Sequence, residues 1–201
     1  MNILRRLIAT VAIAAAFGCV GSAANARESI PVFDQGQTLN CSGYSAVAAV
    51  DAVRIGTPYG PAVAKLIAAS YWRGYYAGDG EVYDDVQKYT DAQVQVWASV
   101  GATVAPLRKG VPVIVPIRIP DDASFDVWNM SRMSVVHPTG KWTNNGHFIL
   151  AIKSSGGYVT LHNSWGKEWG YRGEVRISER DYVTMVTAGI KWTHAHPYSL
   201  R

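Results

Sequence analysis

A short turn, Ser154-Ser155-Gly156-Gly157, separates two apolar runs, Phe148-Ile149-Leu150-Ala151-Ile152 and Tyr158-Val159-Thr160-Leu161. Short β-rich runs on either side of a glycine-containing turn form an antiparallel hairpin. A turn centred on Ser155-Gly156 pairs residues whose numbers sum to about 311, which puts His147 opposite residue 164 and within one step of Asn163. A slip of one residue changes the face each side chain occupies. The proximity of an imidazole and a carboxamide at that end of the ladder survives the slip.

The rest of the chain changes character around its middle. Tyr44, Val47, Ala48, Ala52 and Ile55 fall three or four apart and predict one face of a helix that starts at Cys41. A second helix is expected from Pro61 through Val63, Leu66, Ile67 and Tyr71, and a third from about Tyr83 to Val100. Val111 to Ile119 is strand-like, with Pro112 and Pro116 implying an edge or a bulge. Gly173-Glu174-Val175-Arg176-Ile177 is a further strand, and residues 120–146, without a clear period, are expected to form a long loop. Helices first and strands second predict an α+β protein of two lobes with a cleft between them. The division falls between residues 27–105, mainly helical, and 106–201, mainly β.

Arg5-Arg6, an apolar stretch from Leu7 to Val20 and Ala24-Asn25-Ala26 have the layout of a secretory signal peptide over residues 1–26. The apolar stretch is shorter than the ~20 residues a membrane-spanning helix needs, so stable membrane insertion is not expected. Ala16-Phe17-Gly18-Cys19 is a poor match to a lipoprotein cleavage site. Loss of Arg5 and Arg6, with no acid lost, takes the formal charge from +4 to +2. So mild a balance argues against nucleic acid as a partner. Destination in the periplasm or outside the cell follows from the leader.

Of the two cysteines, Cys19 leaves with the leader, and Cys41 alone forms no internal disulfide. A lone thiol in an oxidising compartment is either a buried structural residue or a reactive one. Its position favours reactivity, because Cys41 stands where a turn becomes a helix and free N–H groups favour a thiolate. A neighbouring imidazole can take the thiol proton, and a carboxamide can hold that imidazole in orientation. Gln35, on the approach loop, can combine its side-chain NH₂ with the backbone N–H of Cys41 as an oxyanion hole.

At these residues the chain resembles the papain-like cysteine peptidases. The first shared signature is Gln35-Gly36, then Cys41, then Ser45-Ala46 one helical turn on. The second is Gly146-His147-Phe148-Ile149-Leu150, and the third is Asn163-Ser164-Trp165-Gly166 continuing through Trp169-Gly170 to Gly173. The resemblance covers about residues 31–190 and is weakest in the middle. It implies the papain-like two-lobe fold, with a helical N-terminal lobe and an antiparallel β-barrel-like C-terminal lobe. It further implies Cys41 as nucleophile, His147 as acid–base, Asn163 as orienter and Gln35 as oxyanion donor. Trp165 would cover the Asn–His contact, and Trp169 would line the leaving-group side. A peptide or protein would be the substrate, with no cofactor or metal, and the protein would act as a monomer.

The departures are Ser42-Gly43 where the family commonly has Trp-Ala, the missing disulfides, and the short span from Ala26 to Gln35, which leaves no room for an inhibitory pro-segment. Gly78-Asp79-Gly80 is better read as a plain turn than as a substrate-pairing glycine segment. His137, His162, His194 and His196 are read as ordinary residues, and His194-Ala195-His196 lacks a cysteine to make a metal site. Other chemistries are compatible with the same residues: a cell-wall amidase, a deamidase, an acyltransferase, or a catalytically inactive binding relative.

Overall fold

The computed structural model describes residues 30–39, 41–53, 87 and 92–200. The expected leader, the second helix, most of the third helix and the Gly78-Asp79-Gly80 turn lie outside them. The described chain is a mixed α+β protein. Its elements are α1 (Cys41–Val53), β1 (Val94–Val96), α2 (Gly101–Arg108), β2 (Val113–Pro120), β3 (Val135–Val136), β4 (Trp142–Ser155), β5 (Tyr158–His162), β6 (Glu174–Ser178), α3 (Glu179–Thr193) and β7 (Tyr198–Leu200), with a 3-10 turn at Ala123–Phe125. The strands make one sheet in the order β1-β7-β2-β4-β5-β6-β3. Its neighbours are antiparallel except β3 and β6, which run parallel.

Strand alternation sorts the core into two layers. Ile114, Phe148, Leu150 and Ile152 face α1, where Val47 and Val50 meet them. Val113, Val115, Ile117, Ile149 and Ala151 face the other way, onto Leu107 of α2 and Tyr182, Met185 and Val186 of α3. A sheet covered on both sides accounts for the unbroken apolar runs in β2 and β4. Among the described residues no helix is long and apolar enough to cross a membrane.

The hairpin forms with Gly156 at φ 61° and Gly157 at φ 80°, so both loop residues occupy the left-handed region that a two-residue turn demands. The closing pair is Ser155 with Tyr158, so the turn is centred on Gly156-Gly157, one residue beyond the expected Ser155-Gly156. An irregularity between Ala151 and Lys153 shifts the register, and the ladder ends at Leu150 opposite His162, leaving Asn163 just past the end of β5.

Several expectations are corrected. Val94–Val96, inside the expected third helix, is a strand that pairs with β7 at the far end of the chain. Residues 120–146 are not one loop: they hold the 3-10 turn and β3, and β4 begins at Trp142. The second half contains a long helix, α3, as well as strands, and α2 straddles the expected division at residue 105. Helix α1 is buried from Ser42 to Asp51 rather than on a single face. Its run of Ala, Ser and Gly is what allows close approach on every side. β2 carries the expected irregularity, between Arg118 and Pro120. It is nevertheless flanked by β4 on one side and by β7, through Ile114, on the other.

Candidate active site

The site gathers at the β4 end that lies beyond its ladder with β5. There Phe148 keeps its place opposite Pro116 of β2. Its N–H and C=O point to the opposite edge, where β5 no longer pairs with it. Helix α1 occupies that edge. Phe148 N–H donates to Cys41 Sγ at 3.4 Å, and Ser45 Oγ donates to Phe148 O at 3.1 Å. Cys41 and Ser45 are one turn apart on α1, so the helix docks on two backbone groups of a single residue. The four-residue spacing from Cys41 to Ser45 thereby has a structural reason, and it brings the sulfur beside the residue next to His147.

His147 is buried and its Nε2 lies 2.7 Å from Asn163 Oδ1. The same Oδ1 accepts the Ser164 N–H at 2.8 Å. A backbone N–H can only donate, so that atom of the carboxamide is the oxygen, and His147 Nε2 must carry the hydrogen. In the neutral ring Nδ1 is then the free base. The Trp165 ring covers the imidazole at 4.8 Å between centroids and 35° between planes. Shielding from water strengthens a hydrogen bond of this kind.

Gln35 joins the same cluster through Ser164. Its backbone N–H donates to Ser164 O at 2.7 Å, and its Oε1 accepts from Ser164 Oγ at 2.6 Å. Its Nε2 donates one hydrogen to Thr38 O at 2.7 Å. With the oxygen and one hydrogen pinned, the direction of the second Nε2 hydrogen is set. Ser164 thus holds both the Gln35 amide and the Asn163 carboxamide, a role the sequence reading did not assign. Asp34 supports the same loop by accepting the Gly36 N–H at 2.9 Å and bridging to Trp165. Gly36 makes the expected bend, at φ 57°.

Burial pushes the Cys41 thiol above its ordinary value, against the N–H groups of Phe148, Ser42 and Cys41 itself, which favour the thiolate. Burial also lowers His147 to about 4, against the Asn163 hydrogen bond, which favours the charged ring. Both groups therefore rest uncharged at neutral pH. Among the described residues the sulfur accepts a hydrogen bond from the Phe148 N–H, and no hydrogen bond joins it to the His147 ring. The four residues singled out from sequence, Cys41, His147, Asn163 and Gln35, lie in one connected cluster.

Trp169 departs from its expected place. It is fully buried, its Nε1 donates to Phe125 O at 3.0 Å, and it stands edge-on to Trp165 at 5.7 Å. It supports Trp165 from within the core and does not line the cavity beside it, whose walls include Trp128, Trp165, Lys167 and Arg172. The remaining histidines are elsewhere. His162 is buried, with its Nε2 3.2 Å from Pro31 O. His194 ends α3 in the left-handed conformation. Among the described residues no three His, Cys, Asp or Glu side chains are grouped to hold a metal ion.

The fold resembles that of known cysteine peptidases. A cysteine protease of Carica candamarcensis, solved in complex with E-64, superposes with a TM-score of 0.57 at 16% identity, covering 89% of this chain and 95% of the other. A putative C39-like peptidase from Bacillus anthracis gives 0.55 at 13% identity over 86% of this chain and 94% of its own. A digestive procathepsin L 3 of the Tenebrio molitor larval midgut gives 0.54 at 16% identity, covering 87% of this chain and 67% of that one. The chain therefore has a papain-like fold, shared with cysteine peptidases. In sequence, Testin-2 of Mus musculus is 26% identical over 113 residues, 52% of this chain and 34% of the relative. The match thus spans about a third of that relative's length. No protein-family model matches the chain.

Proposed function

We propose that this chain is an exported cysteine peptidase that hydrolyses peptide bonds through an acyl-thioester on Cys41. The observation that carries the reading is the His147 Nε2–Asn163 Oδ1 hydrogen bond at 2.7 Å, with Oδ1 fixed by the Ser164 N–H. It leaves Nδ1 as the base, on a ring whose neighbour in the chain, Phe148, holds the sulfur.

In the reaction the sulfur leaves the Phe148 N–H and turns to Nδ1. The thiol proton passes to Nδ1 as sulfur attacks the substrate carbonyl carbon. The oxyanion that develops is stabilised by the Cys41 backbone N–H and the second Nε2 hydrogen of Gln35, at ~3 kcal/mol per donor in comparable sites. Collapse breaks the C–N bond, and the imidazolium gives its proton to the leaving amine. Water then attacks the thioester with His147 again as base, releasing the acid and the thiol. Asn163 keeps the ring oriented through both steps.

The test is peptide hydrolysis and labelling by a thiol-reactive epoxide, measured on the exported form. Cys41→Ala is expected to abolish both while retaining the fold. His147→Ala should lose orders of magnitude in rate and Asn163→Ala less, since orientation is only part of catalysis. An active Cys41→Ala protein, or equal rates for all three variants, would contradict the assignment. Digestion of purified cell wall in place of casein would move the activity to amidase chemistry at the same residues.

A further inference from the structure

Directly ahead of His147 stands Asn145-Gly146, the one Asn-Gly pair in the chain. A glycine nitrogen is unhindered, because no Cβ shields it and its backbone rotates freely. It can attack the carboxamide of a preceding asparagine, a residue that ranks among the thermally labile ones. Whether it does so depends on what holds the two groups. Asn163 is the protected case: it is buried, and its Oδ1 accepts from His147 Nε2 at 2.7 Å and from the Ser164 N–H at 2.8 Å. Asn144 is exposed, but its Oδ1 accepts from Arg118 Nη2 at 3.1 Å. Asn145 is exposed too, and among the described residues its carboxamide has no hydrogen-bond partner.

The backbone leaves the nitrogen free as well. Gly146 pairs with Arg118 and Trp142 with Pro120, so Thr143, Asn144 and Asn145 bulge out opposite Ile119 alone. Phe148 turns its N–H away from β2, to Cys41 Sγ. Antiparallel pairs alternate, so Gly146, two residues earlier, also turns its N–H away from β2, beyond the end of the β5 ladder. Among the described residues nothing accepts it. The bulge is pinned only on its other side. Arg118 Nε donates to Thr143 O at 2.7 Å, and the Thr143 hydroxyl accepts the Asn145 N–H at 3.2 Å. Asn145 Cγ and Gly146 N are the reacting atoms, and both lie past that pin.

We propose that Asn145-Gly146 is a self-modification site that converts to aspartate and isoaspartate and thereby disarms the neighbouring His147. Gly146 N bonds to Asn145 Cγ as the Cγ–NH₂ bond breaks. The Gly146 N–H proton leaves with the amide nitrogen as ammonia, and a succinimide ring remains. Water, the co-reactant, then opens the ring. Its attack at Cγ restores the main chain and leaves aspartate. Its attack at the Asn145 main-chain carbonyl leaves isoaspartate, in which the chain runs through Cγ and gains a carbon. That carbon has nowhere to go. A Cβ on Gly146 would already stand 2.9 Å from Trp192 Cδ1 and 3.3 Å from Thr193 Cγ2. The strand therefore shifts at His147, which loses its alignment with Asn163. The loss of function rests on the peptidase reading above, whereas the modification itself does not.

The full exported form and its Asn145→Gln, Asn145→Asp and Cys41→Ala variants are aged in heavy-oxygen water at mildly alkaline pH. Peptide mapping by mass spectrometry reads heavy-oxygen uptake at each asparagine, enzymatic methylation counts isoaspartate, and peptide hydrolysis is followed in parallel. Conversion at Asn145 is expected to run about 10-fold or more faster than at Asn144 or Asn163, since the placing of the two groups sets the rate of ring closure. It should proceed unchanged in Cys41→Ala, because the chain modifies itself. Hydrolysis should fall in step with isoaspartate and hold in aged Asn145→Gln, whose longer side chain closes a ring less readily. Fresh Asn145→Asp, which adds the charge without the carbon, should stay active. No conversion at Asn145, or equal conversion at Asn144 and Asn163, overturns the site. Full isoaspartate with undiminished hydrolysis overturns its effect on His147. A fresh protein that hydrolyses no peptide removes the peptidase reading, and the site then stands or falls on the mass map alone.

Discussion

At the scale of single residues, the site depends on which atoms are already committed. Ser164 illustrates this, because its hydroxyl holds Gln35 and its N–H holds Asn163 Oδ1. Ser164→Ala keeps the backbone contact and frees Gln35 Oε1, so the expected loss falls on the oxyanion donor. A decrease of about 5-fold in kcat with little change in KM is expected, since one neutral hydrogen bond is worth about 1 kcal/mol. Steady-state kinetics on a peptide substrate, with Ser164→Thr as the variant that retains a hydroxyl, would check it. Cys41 gives a second residue-scale prediction. With its thiol raised by burial and its imidazole neighbour neutral, alkylation by iodoacetamide should speed up with pH through 9 and show no fast plateau between pH 5 and 7. A pH-independent fast rate in that window would mean that a thiolate–imidazolium pair already exists in the resting protein. The site was largely legible at this scale because Cys41, His147, Asn163 and Gln35 each sit in a run whose residue types have few other uses. Ser164 was overlooked although it stands inside one of those runs, since its work is done through two other side chains.

At the scale of elements, local sequence carried the hairpin and the start of α1, and failed where distant segments decide. The pair Gly156-Gly157 dictates its turn wherever it stands. Val94-Gln95-Val96 becomes a strand only because Tyr198–Leu200 returns to pair with it, and no window of sequence contains both. Helix α3 was hidden for another reason. Val183, Thr184, Val186, Thr187 and Ile190 are β-branched and mask a helical period, although Ser178 caps the first turn by accepting the Asp181 N–H at 3.0 Å. What seats α3 is Gly189. A Cβ there would stand 2.4 Å from Pro116 O and 2.6 Å from Ile117 Cα, so helix and β2 meet backbone to backbone. Gly189→Ala must push the helix off the sheet at its centre, with Met185 and Val186 moving as well. Overpacking of this kind costs about 1–3 kcal/mol, and in a chain of this size each kcal/mol lowers Tm by about 2–4 °C. Thermal denaturation of Gly189→Ala beside Thr184→Ala, on the exposed side of the same helix, is the comparison. A loss confined to Gly189→Ala is expected, and equal melting of the two would show that the helix rides free of β2.

At the scale of the whole molecule, stability and chemistry are linked through the same buried groups. His147 is held near 4 in the folded protein, whereas the exposed ring of the unfolded chain titrates near 6.5. Between those values the unfolded state takes up a proton that the folded state refuses, so stability is complete above about pH 6.5 and is lost as pH falls to 4. The difference corresponds to about 3 kcal/mol, at 1.36 kcal/mol per tenfold change in proton affinity. Cys41 acts at the other limit. Its raised thiol contributes stability that is present below pH 9 and is lost as pH climbs beyond it, because the unfolded thiol ionises first. Glu179 is displaced in the opposite sense, held down chiefly by Arg108, whose NH2 nitrogen lies 2.6 Å from the carboxylate, and its contribution fades only in the carboxylate range below the imidazole window. The folded protein should therefore show a plateau of stability between about pH 6.5 and 9, with the acid limb starting more than a pH unit above the carboxylates. Urea midpoints measured from pH 4 to 10 test this. In His147→Gln the decline between pH 6.5 and 4 should flatten while the alkaline limb stays, and in Cys41→Ser the alkaline limb should start later, leaving the part due to Tyr182 and Tyr44, which burial also raises, while the acid limb stays. If His147→Gln kept the full decline over that interval, the ring would not be the group that couples folding to pH, and its burial beneath Trp165 would have to be abandoned as the cause.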